Sequence, residues 1–248
     1  MSKRILVTGG SRGIGAATVR LLAQRGDRVC VNYRRDASAA AALVDELDGR
    51  GAEVFTAQAD VADEAEVMAL FESLDARWGG LDGLVNNAGI LHTKTRLSGI
   101  DAARINAVLA TNVTGTLLCA REAVNRMSTA SGGAGGSIVN VSSSASRLGA
   151  PNEYIDYAAS KGAVDALTTG LAVEVATEGV RVNAVRPGLI YTDIHASGGE
   201  PGRVDRLKHV VPMQRGGLAE EVAEAIVWLL SDASSYTTGS FIDVSGGR

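Results

Sequence analysis

Aromatic side chains are scarce in this chain: two Trp, five Tyr and three Phe make up 4% of its 248 residues. A core without them is built from Ala, Val, Leu and Ile, the residues of helices layered on a buried sheet. Cysteine is nearly absent. Cys30 and Cys119 lie far apart in apolar stretches, which excludes a disulfide framework and suits small buried hydrophobes. An excess of positive charge is also missing, since 24 Lys and Arg are set against 28 Asp and Glu. The basic residues are scattered, and no footprint for nucleic acid results. Met1-Ser2-Lys3-Arg4 leads straight into the short run Ile5-Leu6-Val7, too brief for a signal segment or a membrane span, so a cytoplasmic protein without membrane contact is expected. His92, His195 and His209 are too dispersed for a metal-ligand motif, and no metal is expected.

What is present is a regular alternation of strand and helix patterns. Arg4 to Val7 reads as a strand, residues 8–15 as a glycine turn, and Ala16 to Arg25 as a helix with Gly26 past its end. Strands are expected at Arg28–Asn32, Glu53–Ala57, Gly83–Val85, Ser137–Val141, Val180–Val185 and Phe241–Val244. Helices are expected at Ala37–Leu47, Glu64–Arg77, Asp101–Met127, Tyr154–Glu178 and Ala219–Leu230. The pattern predicts an α/β fold: one domain over residues 1–248, a doubly wound parallel sheet (Rossmann fold) of about seven strands flanked by helices. The run from Ser131 to Gly136 reads as a flexible surface loop. Residues from about 190 to 215, polar and rich in Gly and Pro, read as a mobile substrate lid.

The turn Gly9-x-x-x-Gly13-x-Gly15 follows a strand and opens a helix, where free backbone N–H groups and the helix dipole can meet a pyrophosphate. Gly9, Ser11, Arg12, Gly13, Ile14 and Gly15 are therefore candidate cofactor residues. The second strand decides which dinucleotide is held, because NAD selectivity usually rests on a carboxylate near its end. Here that place holds Asn32, Tyr33, Arg34 and Arg35, with Asp36 beyond them. The arginines, with Arg12, suit a 2'-phosphate, so NADP(H) is favoured over NAD(H). A plainer role for Arg34 and Arg35 is to solvate the start of a helix.

Tyr157 and Lys161 are four residues apart and share one helix face. Moving a tyrosine pKa from about 10 to about 7 takes roughly 4 kcal/mol. A cation about 4 Å away supplies that at an effective dielectric of about 20. Lys161 is thus expected to make Tyr157 an acid/base near neutral pH.

These residues stand in ordered company. Thr8-Gly9-x-x-x-Gly13-x-Gly15, Asp60-Val61, Asn86-Asn87-Ala88-Gly89, Asn112, the serines 142–144, Tyr157-x-x-x-Lys161 and Pro187-Gly188 follow one another along nearly the whole chain. In this the chain resembles the short-chain dehydrogenase/reductase family. The resemblance implies that Ser143, Tyr157, Lys161 and Asn112 are catalytic, with Asn112 holding a proton path from Lys161 to solvent through a water. It also implies that Asp60, Val61, Asn87, Ala88, Gly89, Pro187, Gly188, Ile190 and Thr192 contact the cofactor, as do Tyr157 and Lys161, and that the protein is a homotetramer. Counting back from Tyr157 points to Ser144 as the active serine, whereas aligning the preceding strand points to Ser143. The strand fixes direction, and the loop through Pro151, Asn152 and Glu153 can absorb an insertion, so Ser143 is preferred.

The implied function is NADP-dependent hydride transfer between nicotinamide and a small carbonyl or alcohol, and relatives acting on 3-oxoacyl thioesters and on sugars share these motifs. Two other readings fit the fold. One is a catalytically silent dinucleotide sensor or scaffold, and the other is an epimerase or dehydratase using transient hydride transfer. Glu153 and His195 are placed to reach a polar substrate.

Overall fold

The computed structural model describes residues 2–48 and 53–248; Met1, from which the amino-terminal reading starts, lies outside them. In chain order the strands are β1 (Arg4–Val7), β2 (Arg28–Tyr33), β3 (Val54–Gln58), β4 (Gly83–Asn86), β5 (Gly136–Val141), β6 (Val180–Pro187) and β7 (Phe241–Val244). The helices are α1 (Gly13–Gln24), α2 (Ala37–Leu47), α3 (Glu64–Trp78), α4 (Ala102–Leu109), α5 (Gly115–Met127), α6 (Ala145–Leu148), α7 (Ile155–Glu174), α8 (Ile194–Ser197), α9 (Arg203–Leu207) and α10 (Ala219–Leu230).

The strands form one seven-stranded sheet in the order β3-β2-β1-β4-β5-β6-β7. Every pairing is parallel. Successive residues of a strand point to opposite faces, and β1 shows the result. Ile5 and Val7 join a core with residues of α1, α2 and α10. Leu6 joins a second core with residues of α3, α5 and α7. Cys30 and Cys119 are both fully buried, and burial raises both thiol pKa values, that of Cys119 to about 12. Strand order reverses direction at β1, whose neighbours are β2 and β4. The crevice beyond the carboxyl ends of these strands is where such sheets bind ligands.

Two expectations change in detail. Residues 102–127 are not one uniform helix, because a π-turn at Ala110–Thr114 separates α4 from α5. The segment 131–136 is a bonded turn rather than a free loop. Gly133 N donates to Ser128 O, Gly135 N to Met127 O and Gly136 N to Gly179 O. A Cβ on Gly133 would lie 2.4 Å from the Arg126 and Met127 carbonyl oxygens. No helix among the described residues is long and apolar enough to cross a membrane.

Candidate active site

The glycine turn ends β1 and leads into α1. Gly9 has φ +58, and a Cβ there would stand 2.9 Å from Ala88 Cα. Gly15 lets α1 pack on the turn, since its Cβ would fall 2.5 Å from Gly9 O. For that reason Gly15 supports the cavity from beneath and does not line it. No side chain caps α1 and its first turn holds no acid. Its leading N–H groups are thus left for an anion, as a pyrophosphate cradle requires. Asn87 braces the turn, donating from Nδ2 to Thr8 O at 3.0 Å and to Gly9 O at 2.9 Å. Thr8 Oγ1 accepts from the N–H groups of Asn87 and Ala88 at 3.0 and 3.1 Å. Thr8, the first residue of the glycine motif, thus braces the turn rather than lining the cavity.

At the end of β2, Asn32 is buried and committed to structure. Its Nδ2 donates to Ala57 O and Ala59 O at 3.2 and 3.1 Å, and its Oδ1 accepts from Gly9 N at 3.4 Å. It positions the turn. Asp36 caps α2, accepting from Ala39 N and Ser38 Oγ, and the Ala39 hydrogen bond is the main reason its pKa is lowered. The two arginines differ. Arg34 is paired with Asp60 at 2.7 Å. Among the described residues Arg35 and Arg12 have no ion-pair partner, and both line the cavity. Asp60 also accepts from Ala62 N at 3.1 Å.

The acid/base cluster stands at the far end of the same cavity. Lys161 is buried, and its Nζ donates to Val141 O at 2.7 Å and lies 5.6 Å from the centroid of the Tyr157 ring. The lysine is therefore over the ring rather than bonded to the phenol. Burial raises the Tyr157 pKa above its ordinary value of 10.0, with a hydrogen bond from Ser143 opposing. The expectation of a tyrosine drawn down toward neutrality is not met in this geometry: burial raises its pKa, and Lys161 bonds a backbone carbonyl rather than the phenol. Burial also pushes Lys161 down to about 8, and Asp165 partly offsets it. The resulting pair is a protonated phenol beside a readily titrated ammonium.

All three serines line the cavity and differ in their bonds. Ser142 Oγ donates to Asp165 Oδ1 at 2.6 Å, turned toward α7 and away from the phenol. The Ser144 backbone N–H donates to Pro187 O at 2.9 Å. Ser143 Oγ accepts from Ala145 N at 3.1 Å and hydrogen-bonds with Tyr157. Asn112 is fully buried in the π-turn and does not line the cavity. Its Oδ1 accepts from Ile90 N at 2.8 Å, and its Nδ2 donates to Ile90 O and Ser160 Oγ, each at 3.1 Å. Its side chain is engaged in pinning the loop after β4 to α7.

The serine, tyrosine and lysine share one cavity of about 860 Å³ with the glycine turn. Gly9, Ser11, Arg12, Gly13, Ile14, Asn32, Tyr33, Arg34, Arg35, Asp60, Val61, Asn87, Ala88, Gly89, Pro187, Gly188, Ile190 and Thr192 line it, together with Ser143, Tyr157 and Lys161. Its length, glycine cradle, arginines and acid/base end fit a nicotinamide dinucleotide. Thr192 closes down on the turn, 3.4 Å from where a Cβ on Gly13 would be. Tyr154, Arg203, Leu91 and Leu148 also line it and are not foreseen from sequence, although Tyr154 precedes Tyr157 by one helical turn.

The comparisons agree with this geometry over the full chain. A family model described as Enoyl-(Acyl carrier protein) reductase matches residues 9–248. The chain belongs to the short-chain dehydrogenase/reductase family. Within this family it is 62% identical over 243 residues to the uncharacterized oxidoreductase YgfF of Escherichia coli, covering 98% of each chain. It is 37% identical over 247 residues to the 3-oxoacyl-[acyl-carrier-protein] reductase FabG of Staphylococcus aureus, covering 100% of this chain and 98% of the relative. A short chain dehydrogenase from Burkholderia cenocepacia, solved in complex with NADP, superposes with a TM-score of 0.89 at 33% identity, over 99% of this chain and 97% of that one. The protein is thus an oxidoreductase of the short-chain dehydrogenase/reductase family, acting on CH–OH or C=O groups of small molecules with NAD(P).

Proposed function

We propose that this member of the family is an NADP(H)-dependent carbonyl reductase or alcohol dehydrogenase. The observation that carries this reading is the convergence of Ser143, Tyr157 and Lys161 at one end of a cavity whose other end holds the glycine turn, Arg12 and Arg35. When bound, the nicotinamide supplies or accepts the hydride. The substrate oxygen lies between Ser143 Oγ and the Tyr157 hydroxyl, and both donate to it as negative charge develops. Tyr157, kept protonated by burial, gives its proton to that oxygen in reduction and takes it back in oxidation. Lys161 supplies a buried positive charge behind the phenol, stabilising the phenolate left after transfer.

Preference for NADP(H) is supported by the guanidinium groups of Arg12, Arg34 and Arg35 and by the lack of a carboxylate within β2 itself, whose last residues are Asn32 and Tyr33, while Asp36 beyond it is engaged in capping α2. Arg35 is the principal 2'-phosphate ligand in this reading, because Asp60 already neutralises Arg34. Asp60 then acts through Arg34, in addition to its adenine-side position. Residues 190–215, with α8 and α9, cover the substrate end as a lid. A side-by-side screen of carbonyls with NADPH and NADH tests the whole reading. Oxidation of NADPH with at least one carbonyl, at kcat/KM about tenfold or more above NADH, is expected. Equal use of both cofactors contradicts the cofactor assignment, and binding without turnover of any carbonyl points to a silent sensor.

A further inference from the structure

Tyr157, Lys161 and Asp165 follow one another at four-residue spacing and form one stripe along α7. The first two have roles in the proton transfer described above, whereas Asp165 has none. Lys161 is buried, its Nζ donates to the uncharged Val141 O at 2.7 Å, and among the described residues it has no ion-pair partner. A buried ammonium without a counter-charge readily loses its proton.

Asp165 reaches the acid/base cluster in two ways. Its Oδ1 accepts from Ser142 Oγ at 2.6 Å. Ser142 stands between Val141, whose carbonyl holds Lys161, and Ser143, which hydrogen-bonds with Tyr157. The Ser142 hydroxyl also lies 3.3 Å from Lys161 O. The carboxylate thus clamps the carboxyl end of β5 to α7 at the place from which both contacts originate. Its negative charge stands one helical turn beyond Lys161 and favours the ammonium.

A cation opposes that charge. Arg186 of β6 binds Asp165 Oδ2 through Nε at 3.1 Å and through a terminal nitrogen at 2.9 Å, and both side chains are largely buried. Arg186 lies 4.0 Å from Asp243 of β7, which is paired with Arg147 of α6 at 3.1 Å. The other elements against α7 bring paired charges or none. Arg104 of α4 binds Asp156 at 2.7 Å, and Glu153, before α7, holds Arg203 at 2.5 Å. The π-turn presents the uncharged Asn112, and β5 contains no titratable residue. The loop after β4 approaches Lys161 at Gly89, where a Cβ would lie 3.7 Å from Nζ. The charge on Lys161 therefore depends on the balance between Asp165 and Arg186.

We propose that Asp165 is a positioning residue of the active site, holding Lys161 as an ammonium behind the Tyr157 phenol, with Ser142 as its mechanical link and Arg186 as the opposing charge. This rests on the acid/base reading for the role of Lys161, but the charge of Lys161 is measurable without turnover.

The test follows the Lys161 ε-carbon by NMR across pH in the full chain carrying isotope-labelled lysine, its signal assigned with Lys161→Arg. The pH profile of NADPH oxidation is measured alongside. Asp165→Asn keeps the shape and an acceptor for Ser142 but removes the charge, leaving Arg186 and Lys161 as facing cations. The Lys161 midpoint is expected to fall by about one pH unit or more, and the alkaline limb of kcat/KM with it. Arg186→Gln, which uncovers the carboxylate, should move both upward, and the double variant should return both close to native. Either single variant carries the test by itself, since the signs differ. A merely structural role gives losses of one sign that grow in the double variant. A Lys161 midpoint unmoved by Asp165→Asn, or lowered by both single variants, overturns the proposal. Opposite shifts of the midpoint in a protein that oxidises no NADPH, or whose pH profile does not follow them, keep the role of Asp165 and overturn the acid/base reading of Lys161 instead.

Discussion

At Lys161, burial and chemistry pull in opposite directions. In the unfolded chain its pKa is the ordinary 10.5, and in the folded protein burial brings it to about 8. Between those values the unfolded chain binds more protons, so stability rises with pH across that window, and below it the buried ammonium costs about 3 kcal/mol. Lys161→Met should therefore keep or raise the thermal midpoint at pH 7 while removing most turnover, and a large drop in midpoint would contradict this balance. The same value predicts that kcat/KM for carbonyl reduction is level below pH 8 and falls above it as the ammonium is lost. A profile flat to pH 10 contradicts the role given to Lys161. Ser143→Ala should lower kcat by about a hundredfold, and Ser144→Ala by far less; the reverse order exchanges the two serines. Sequence alone leaves that pair open because their direction depends on how β5 ends and α6 begins, and a four-residue helix such as α6 has no periodicity to read.

Among the elements, those with a long apolar period were legible and those set by local bonding were not. β1, β2 and α1 follow directly from their patterns, because a buried strand or an amphipathic helix imposes one. The π-turn around Asn112, the short α8 and α9, and the bonded turn at 131–136 depend on contacts between distant segments. Gly133 is the clearest case, since backbone oxygens of residues 126 and 127 occupy the space of a Cβ. Gly133→Ala should cost roughly 1–3 kcal/mol in denaturant unfolding, whereas a truly flexible loop would tolerate it. At the β2–α2 connection, the guanidinium groups of Arg34 and Arg35 were legible, but the Asp60 partner of Arg34 was not, because it comes from just beyond β3. Arg35→Ser should weaken NADPH binding by about tenfold or more with little change for NADH, and Arg34→Ser should act less selectively. Equal losses for both dinucleotides would reduce these arginines to surface charge.

On the scale of the whole molecule, the sheet order and the crevice at its reversal bring to one cavity motifs that are up to about 180 residues apart in sequence, from Gly9 to Thr192. Their order was readable; the pairing of Arg203 with Glu153 was not, because one belongs to α9 and the other to the loop before α7. A homotetramer is proposed from the family resemblance, with α4, α5 and α7 packing on their copies. Leu109, Leu117 and Val173 are exposed on these helices, and sedimentation at the mass of four chains is expected. The central claim is that Tyr157 is the proton donor and acceptor of an NADP(H)-linked oxidoreductase, and Tyr157→Phe measured for NADPH binding and NADPH oxidation side by side tests it most directly. The account predicts binding within about twofold of the native protein and a loss of turnover of about a thousandfold or more, whereas turnover close to native with intact binding would contradict it.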